Sequence, residues 1–122
     1  MIIGIGTDII EIDRINKAII NTKGFLNKIF TEKEIELFSE RKMRAETIAG
    51  NFATKEAFVK ALGIGMRGIT FKDIEVLRDE LGKPYINLSD KIAKKYSLEF
   101  NVLVSISHNR ESAISFVILE SK

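Results

Sequence analysis

The chain has 122 residues, of which 45% are hydrophobic and 30% are charged, and its formal net charge at pH 7 is +2. This size and balance are typical of one globular domain, so we expect a single domain over residues 1–122. The absence of cysteine excludes disulfides, thiolate nucleophiles and thiolate metal sites. So small a net charge gives no argument for nucleic-acid binding, and we expect none.

The apolar N-terminus predicts a strand. Residues 2–10, "IIGIGTDII", are rich in Ile and Gly, and two glycines so close together indicate that another group approaches the backbone. Asp8 and Glu11 interrupt the apolar run and no basic leader precedes it. We therefore expect neither a signal peptide nor a transmembrane span, but a cytoplasmic protein without a membrane partner.

Helices are predicted next. Ile12, Ile15 and Ile19 share one face of a helix over residues 12–20, and a short helical piece follows near "FLNKIF".

Two further helices follow. Thr31 and Glu34 fit a capping box that opens a helix ending near residue 40. The longest helix is predicted over about 46–62, with Gly63 as its stop.

The second half of the chain predicts mainly hairpins. "FKDIEVLRD" and "PYINLS" flank the turn "ELGK", and "SDKIAKKYS" predicts a short helix capped by Ser89 or Asp90. "FNVLVSIS" and "SAISFVILE" form a hairpin around "HNRE". The order β-α-α-α-β-β-α-β-β predicts an α+β fold, with a mainly antiparallel sheet packed against the long central helix.

Asp8 is the first candidate functional residue, because aspartate is depleted in strands and this one follows Gly6 and Thr7 in an Ile-rich run. A strand-end turn or a helix N-cap explains such a residue about as often as a metal site does. As a ligand, its carboxylate suits Mg²⁺, which takes one or two carboxylates together with water and substrate phosphates.

Glu56 and Lys60 lie one turn apart on the predicted central helix, so their side chains share a face. An ordinary surface ion pair is the commoner explanation of this spacing. Here Glu56 lies between Phe52 and Val59, where a carboxylate needs a cation to offset desolvation. Asp8 and Glu56 together would supply a Mg²⁺ site, and Lys60 would then reach phosphate oxygens as a point charge.

Two other features carry weaker signals. Gly63, Gly65 and Gly68 let a ligand approach the backbone, but they follow a helix, so the helix dipole does not support phosphate binding there. His108 is the only histidine and lies at a predicted hairpin tip, where a lone histidine is more often structural or solvated. A Ser-His-Asp triad has no nucleophile elbow to support it.

The chain resembles the holo-acyl-carrier-protein synthases, the small single-domain 4'-phosphopantetheinyl transferases of bacteria. The resemblance rests on "GIGTDIIEIDRI", "FATKEAFVKALGIG", "FKDIEVLRDELGKPYI" and "VSISH". It includes the two superfamily signatures, G-x-D at residues 6–8 and K-E-x-x-x-K at residues 55–60. It extends over nearly the whole chain.

The resemblance implies transfer of the 4'-phosphopantetheine group from coenzyme A to a serine of apo-acyl carrier protein, in fatty acid biosynthesis. It implies that Asp8 and Glu56 hold Mg²⁺ and take part in catalysis with Lys60. Glu56 or a metal-bound water is the base. It also implies a homotrimer with active sites at subunit interfaces, so that Glu56 and Lys60 would be buried at an interface site rather than in a core. The implied coenzyme A contacts are Lys60, Gly63, Gly65, His108 and Arg44.

The resemblance also assigns the first helix to docking of acyl carrier protein, with Arg14 as the basic contact and Phe25 as the apolar one. Lys17 and Lys23 add to a basic surface that equally fits an ordinary solvated face. Opposite charges would steer encounter with an acidic partner. Three positions depart from the family pattern: larger or basic residues are usual at Ala18 and Asn21, and a basic one at Asn51.

Two alternatives of other classes remain at this stage. A non-catalytic module that binds coenzyme A or a nucleotide would not need both carboxylates, yet Asp8 and Glu56 are both present. A small RNA-binding domain is disfavoured by the modest charge and by the lack of a clustered aromatic and basic motif.

Overall fold

The computed structural model describes residues 1–96 and 100–122. The elements in chain order are β1 (Ile2–Glu11), α1 (Ile12–Asn21), α2 (Phe25–Ile29), α3 (Glu32–Glu40), α4 (Ala45–Leu62), a 3₁₀ turn (Phe71–Asp73), β2 (Ile74–Arg78), β3 (Pro84–Leu88), α5 (Asp90–Tyr96), β4 (Phe100–His108) and β5 (Ser112–Ser121). This order confirms the α+β class. The end of the predicted "SDKIAKKYS" helix, at Ser97, lies outside the described residues.

One predicted strand begins later than expected. Residues 71–73 were expected to be strand, but they form the 3₁₀ turn because a capping box joins Thr70 and Asp73. The Thr70 amide donates to Asp73 Oδ2 at 2.8 Å. The predicted capping box of Thr31 and Glu34 is confirmed at the start of α3, and Gly63 ends α4 as expected.

The main sheet has the order β1-β5-β4 and is antiparallel, while β2 and β3 form a separate hairpin. Helix α4 packs against the inner face of β1 and β5, and its residues Ala53, Ala57 and Phe58 are fully buried. Small side chains on this helix let its backbone lie close to the sheet.

Two glycines set the distance between β1 and α4. A Cβ atom on Gly6 would lie 1.9 Å from the carbonyl oxygen of Ala57, and one on Gly4 would lie 2.3 Å from that of Ala61. Only glycine leaves room for this contact. The expectation that a group approaches the Gly-rich strand is confirmed, and within the chain that group is α4.

The outer face of the same sheet carries large apolar side chains that the described chain leaves exposed. They are Ile5 (60% exposed), Ile9 (66%), Leu103 (43%), Ile114 (42%) and Phe116 (43%). We call this set the outer apolar face. A contiguous exposed apolar surface marks an interaction site more often than a free surface.

Candidate active site

Asp8 lies on the inner face of β1, opposite Ser115 of β5 in the sheet register. Its side chain is 17% exposed. Because Gly4 and Gly6 bring α4 so close to β1, the carboxylate lies beside the helix face that carries Glu56 and Lys60. The sequence-predicted trio therefore comes together in the fold.

Lys60 is paired with Asp8. Its Nζ lies 3.2 Å from Asp8 Oδ1 and donates to the carbonyl oxygen of Thr7 at 3.1 Å. In the single chain the Lys60 side chain is 56% exposed, so its expected burial would have to come from an interface and stays a prediction. The long lysine stem passes the free edge of β1, where Thr7 has a carbonyl to satisfy, and this keeps the ammonium near water.

Glu56 is half-buried and forms no ion pair or hydrogen bond within residues 1–96 and 100–122. The spacing of Glu56 and Lys60 also allowed a surface ion pair between these two residues. In the fold, Lys60 pairs with Asp8 instead. Burial raises the pKa of Glu56 above its ordinary value, the neighbouring Asp8 raises it further, and Lys60 opposes the rise. A cation close to both carboxylates would stabilise the charged form of Glu56 and lower its raised pKa.

The donor set fits a hard divalent cation. Asp8 and Glu56 offer carboxylate oxygens, the ligand type that Mg²⁺ prefers. No cluster of three or more His, Cys, Asp or Glu side chains suited to a metal is present in the described part of the chain. A cation held here would therefore take its remaining oxygens from water or from a phosphate substrate.

Lys55, the first lysine of the K-E-x-x-x-K signature, has a different role. Its side chain is fully buried, and its Nζ donates to Glu34 Oε1 at 2.7 Å and to the carbonyl oxygens of Phe71 and Ile74. This ion pair joins α4 to α3 and to the start of β2. Sequence reasoning missed it, although a lysine among small apolar helix residues is a signal for a buried partner.

Asn51 belongs to the same buried network. Its Nδ2 donates to Glu34 Oε2 at 3.0 Å and to the carbonyl oxygen of Val76 at 2.9 Å. The side chain is fully buried, so the position where the resemblance led us to expect a basic residue is here part of the interior.

A second cluster lies at the N-terminus of α4. A cleft of about 390 Å³ is lined by Glu40, Arg41, Lys42, Arg44, Glu46, Thr47 and His108. The first amides of an 18-residue helix open here without a side-chain cap, which favours an anion. The run "RKMR" before the helix was the sequence signal for this cleft, and only Arg44 was named from it.

The turn that carries this basic run has an unusual backbone. Lys42 and Met43 have φ values of 61° and 53°, in the left-handed region that non-glycine residues seldom adopt. Such strain is typical of functional loops. Burial and the charge of Arg41 lower the pKa of Arg78 to about 10, so the charge of Arg41 acts on this second arginine as well.

The two clusters lie at opposite edges of the main sheet. Asp8 is on the edge strand β1, whereas His108 ends the other edge strand, β4, and pairs with Ala113 of β5. Two strand spacings are about 10 Å, so within one chain the groups do not touch. The fold thus brings Arg44 together with His108, and Asp8 together with Glu56 and Lys60, but not the two sets with each other.

The remaining predicted site residues are on other surfaces. Gly63 and Gly65 have φ values of +76° and +66°, so left-handed backbone alone accounts for glycine there. Arg14 is exposed on α1. Phe25 is half-buried, with its ring centroid 6.4 Å from that of Phe30 and 6.5 Å from that of Phe52.

Comparison with known proteins agrees with this architecture. The chain is 60% identical over 121 residues to a holo-[acyl-carrier-protein] synthase of Clostridium botulinum (strain Eklund 17B / Type B), covering 98% of each chain. Its fold matches the crystal structure of a holo-(acyl-carrier-protein) synthase from Bacillus anthracis in complex with CoA (3',5'-ADP), with a TM-score of 0.84, 40% identity and coverage of 100% and 99%.

A second structural match is the Helicobacter pylori holo-[acyl-carrier-protein] synthase in complex with coenzyme A. The TM-score is 0.84 at 34% identity, covering 95% of this chain and 99% of that one. The model of the 4'-phosphopantetheinyl transferase superfamily matches residues 4–117. With the shared fold and the trio of Asp8, Glu56 and Lys60 in place, the chain belongs to the 4'-phosphopantetheinyl transferase superfamily.

Proposed function

We propose that the chain is a holo-acyl-carrier-protein synthase, which transfers the 4'-phosphopantetheine group of coenzyme A to a serine of apo-acyl carrier protein. The products are holo-acyl carrier protein and adenosine 3',5'-bisphosphate. The observation that carries this proposal is the meeting of Asp8 with Glu56 and Lys60, in a chain that matches synthases of this kind over its full length.

The reaction asks for charge neutralisation and positioning more than for covalent chemistry by the protein. The serine oxygen forms a bond to the phosphorus that carries the pantetheine arm. The bond from that phosphorus to the bridging oxygen breaks, and the electron pair leaves with the bisphosphate. Glu56 or a water beside it takes the serine proton.

Mg²⁺ belongs to this proposal as the cofactor, with Asp8 and Glu56 as its protein ligands. When bound, the ion would offset negative charge on the pyrophosphate of the substrate. Lys60 supplies a second positive charge from α4 and donates hydrogen bonds to phosphate oxygens.

The basic cleft at the N-terminus of α4 is the proposed site for the other phosphates of coenzyme A. Arg41, Arg44 and His108 line it, and the helix amides add their own positive potential. Arg41 and Lys42 thus extend the contacts assigned by resemblance. Gly63 and Gly65 stay proposed as contacts to the coenzyme on the strength of the resemblance alone.

The proposal includes a homotrimer with active sites at subunit boundaries, and two observations support an assembly of this kind. The outer apolar face is exposed in the single chain, and a second copy would bury it. The two clusters of site residues lie at opposite sheet edges, so adjacent copies would bring one edge of each together. Each coenzyme A would then lie between two chains.

The proposed setting is the cytoplasm and fatty acid biosynthesis. None of the helices formed by residues 1–96 and 100–122 combines the length and apolar character that a membrane crossing needs.

The proposed docking surface for acyl carrier protein is α1 and its exit. Arg14, Lys17 and Lys23 are exposed there, and Lys17 pairs with Asp13, at 3.0 Å on the same helix. We expect Arg14→Glu to weaken binding of acyl carrier protein about tenfold while coenzyme A affinity stays unchanged. Lys94→Glu on α5 changes the charge equally and is the control. Equal losses for both substrates of Arg14→Glu would contradict the docking role.

The experiment that tests the function is the intact mass of an apo-acyl carrier protein after incubation with this protein, coenzyme A and Mg²⁺. We expect a gain of one phosphopantetheine arm that depends on the metal. Asp8→Ala and Glu56→Ala should abolish the gain and keep the helical circular dichroism of the wild type, because the lost groups are ligands and not packing. Full activity of either variant would contradict the metal site.

A non-catalytic coenzyme A-binding module is the second candidate. It would be favoured if a folded oligomer bound coenzyme A and left several acyl carrier proteins unmodified.

A further inference from the structure

Lys60 makes an ion pair that its proposed role in phosphate binding does not require. Its Nζ contacts Asp8 Oδ1 at 3.2 Å and the carbonyl oxygen of Thr7 at 3.1 Å. A lysine four residues after Glu56 on a helix is placed to pair with that glutamate. In the fold, the ammonium instead reaches across to the aspartate on the neighbouring strand.

The pair has an electrostatic cause. Asp8 and Glu56 are two carboxylates at one site, and the charge of Asp8 disfavours the charged form of Glu56. Lys60 is the cation whose charge acts on Glu56, and it also contacts Asp8 directly. While no other cation is present, the lysine therefore offsets the charge that a metal ion would offset.

Lys60 and a divalent cation would use the same carboxylate. Asp8 Oδ1 accepts the lysine hydrogen bond, and the Asp8 carboxylate is also half of the proposed ligand set. Two cations at one carboxylate repel each other strongly in a partly desolvated site. The Lys60 side chain is 56% exposed, so the packing of the described residues leaves the ammonium room to move away.

We propose that Lys60 is a stand-in cation, paired with Asp8 while the site holds no divalent ion and released from Asp8 when one binds. This inference rests on the metal site of the proposed function and adds an order to it. The released ammonium is then free to donate to a phosphate, so the phosphate contact of Lys60 forms only after the metal is in place. Metal binding and readiness for coenzyme A are coupled through this one side chain.

The proposal predicts opposite effects of one substitution. Lys60→Met removes the competitor, so the full-length protein should bind Mn²⁺ alone more tightly, by about fivefold or more. The same variant should bind coenzyme A more weakly in the presence of the metal, because the phosphate contact is lost. A lysine whose only role is to contact phosphate would show the second effect without the first.

The experiment is calorimetric titration of Mn²⁺ into the protein without coenzyme A, at low and at high salt. Lys17→Met is the matched control, because Lys17 forms an exposed ion pair with Asp13 at 3.0 Å on a different element. Tighter binding by Lys60→Met that persists in high salt supports direct competition, since salt screens a distant charge more than a contact. Equal Mn²⁺ affinity of wild type and Lys60→Met would overturn the proposal.

A second readout follows the lysine itself and uses the wild-type protein. Acetylation by a small amine-reactive reagent, followed by peptide mass spectrometry, reports how accessible each ammonium is. We expect Mg²⁺ to speed the acetylation of Lys60 at least about threefold relative to Lys17, because release from Asp8 frees the amine. An unchanged ratio would overturn the proposal.

These results are separable from a failure of the proposed function. If wild-type protein modifies acyl carrier protein but Lys60→Met leaves Mn²⁺ affinity unchanged, only the stand-in role falls. If metal binding releases Lys60 from Asp8 but no carrier protein is modified, the transferase assignment is wrong and the stand-in role of Lys60 is still supported. Wild-type protein that binds no Mn²⁺ without coenzyme A would also overturn the stand-in role.

Discussion

At the scale of single residues, Gly6 decides whether Asp8 can lie beside Glu56 and Lys60. Its missing side chain lets the carbonyl oxygen of Ala57 lie where a Cβ atom would be, at 1.9 Å, and the amide of Ala61 lies 2.8 Å from the same point. Both neighbours are backbone atoms of a buried helix, so neither can move alone. Asp8 is placed against α4 by this contact.

We expect Gly6→Ala to lower the free energy of unfolding by about 3 kcal/mol, because β1 and α4 must separate. The measurement is urea unfolding, with Thr7→Ala as the control, since Thr7 is adjacent but exposed. Transfer activity should fall further than stability, because Asp8 moves away from Glu56. A Gly6→Ala protein as stable and active as the wild type would contradict the close packing.

The K-E-x-x-x-K signature shows what the sequence could and could not predict about single residues. The signature placed Lys55, Glu56 and Lys60 together, but it did not distinguish which of them face the interior. The fold buries Lys55 completely and leaves Lys60 half-exposed. Helical periodicity alone could not decide this, because α4 is apolar on nearly every side and the partner of each lysine comes from another element.

At the scale of elements, the ion pair of Lys55 and Glu34 holds α3, α4 and β2 in one arrangement. Burial raises the pKa of Glu34 and the Lys55 ammonium opposes the rise. Both side chains are fully buried, so removal of one partner leaves an uncompensated charge.

We expect Lys55→Met to cost about 3–5 kcal/mol of unfolding free energy, because Glu34 and two backbone carbonyls lose their donor. The double variant Lys55→Met/Glu34→Leu should recover much of the loss. Chemical denaturation measures both, and Lys17→Met serves as the control with an exposed pair. A loss below about 1 kcal/mol for Lys55→Met would show that the buried pair contributes little.

The connection between the 3₁₀ turn and α5 gives a pH-dependent prediction. Burial would raise the pKa of Asp73, but hydrogen bonds from Ser89 and Thr70 and the nearby Lys91 outweigh it and hold the pKa below its ordinary value of 3.8. The carboxylate therefore stabilises the fold at pH above that ordinary value, and the stabilisation is lost as the pH falls through the lowered one.

We expect Asp73→Asn to be about 1 kcal/mol less stable than the wild type near neutral pH, a loss comparable with that of a helix cap. The difference should shrink in acid, as the pH falls through the lowered pKa of Asp73 and the wild-type carboxyl is protonated as well. Urea unfolding of both proteins at the two pH values measures this. A difference that is the same in acid would rule out the carboxylate as its source.

At the scale of the whole molecule, the outer apolar face and the divided site point to an assembly. We expect the wild type to sediment as a trimer, and we expect Phe116→Asp to sediment as a monomer and to lose most of its transfer activity, since a charge on this face opposes burial. Leu81→Asp is the control, because Leu81 is 95% exposed at the β2–β3 turn, away from the sheet. A monomeric wild type with full activity would contradict the proposed subunit boundary.

Much of the fold was predictable because its signals are local. The order of helices and strands, the capping box of Thr31 and Glu34, and the stop at Gly63 follow from spacing, capping chemistry and glycine's backbone freedom. The 3₁₀ turn at residues 71–73 was not predicted, because a capping interaction there outweighs the strand pattern.

By itself, the sequence determined the class of the fold, the signatures that connect the chain to its superfamily and the trio of Asp8, Glu56 and Lys60. Only the tertiary structure decided that Lys60 pairs with Asp8, that Lys55 is buried against Glu34, and that Arg44 and His108 form a separate basic cleft. The physical reason is distance along the chain. These contacts join residues 21 to 64 positions apart, and the packing of α4 on the sheet sets which of them meet.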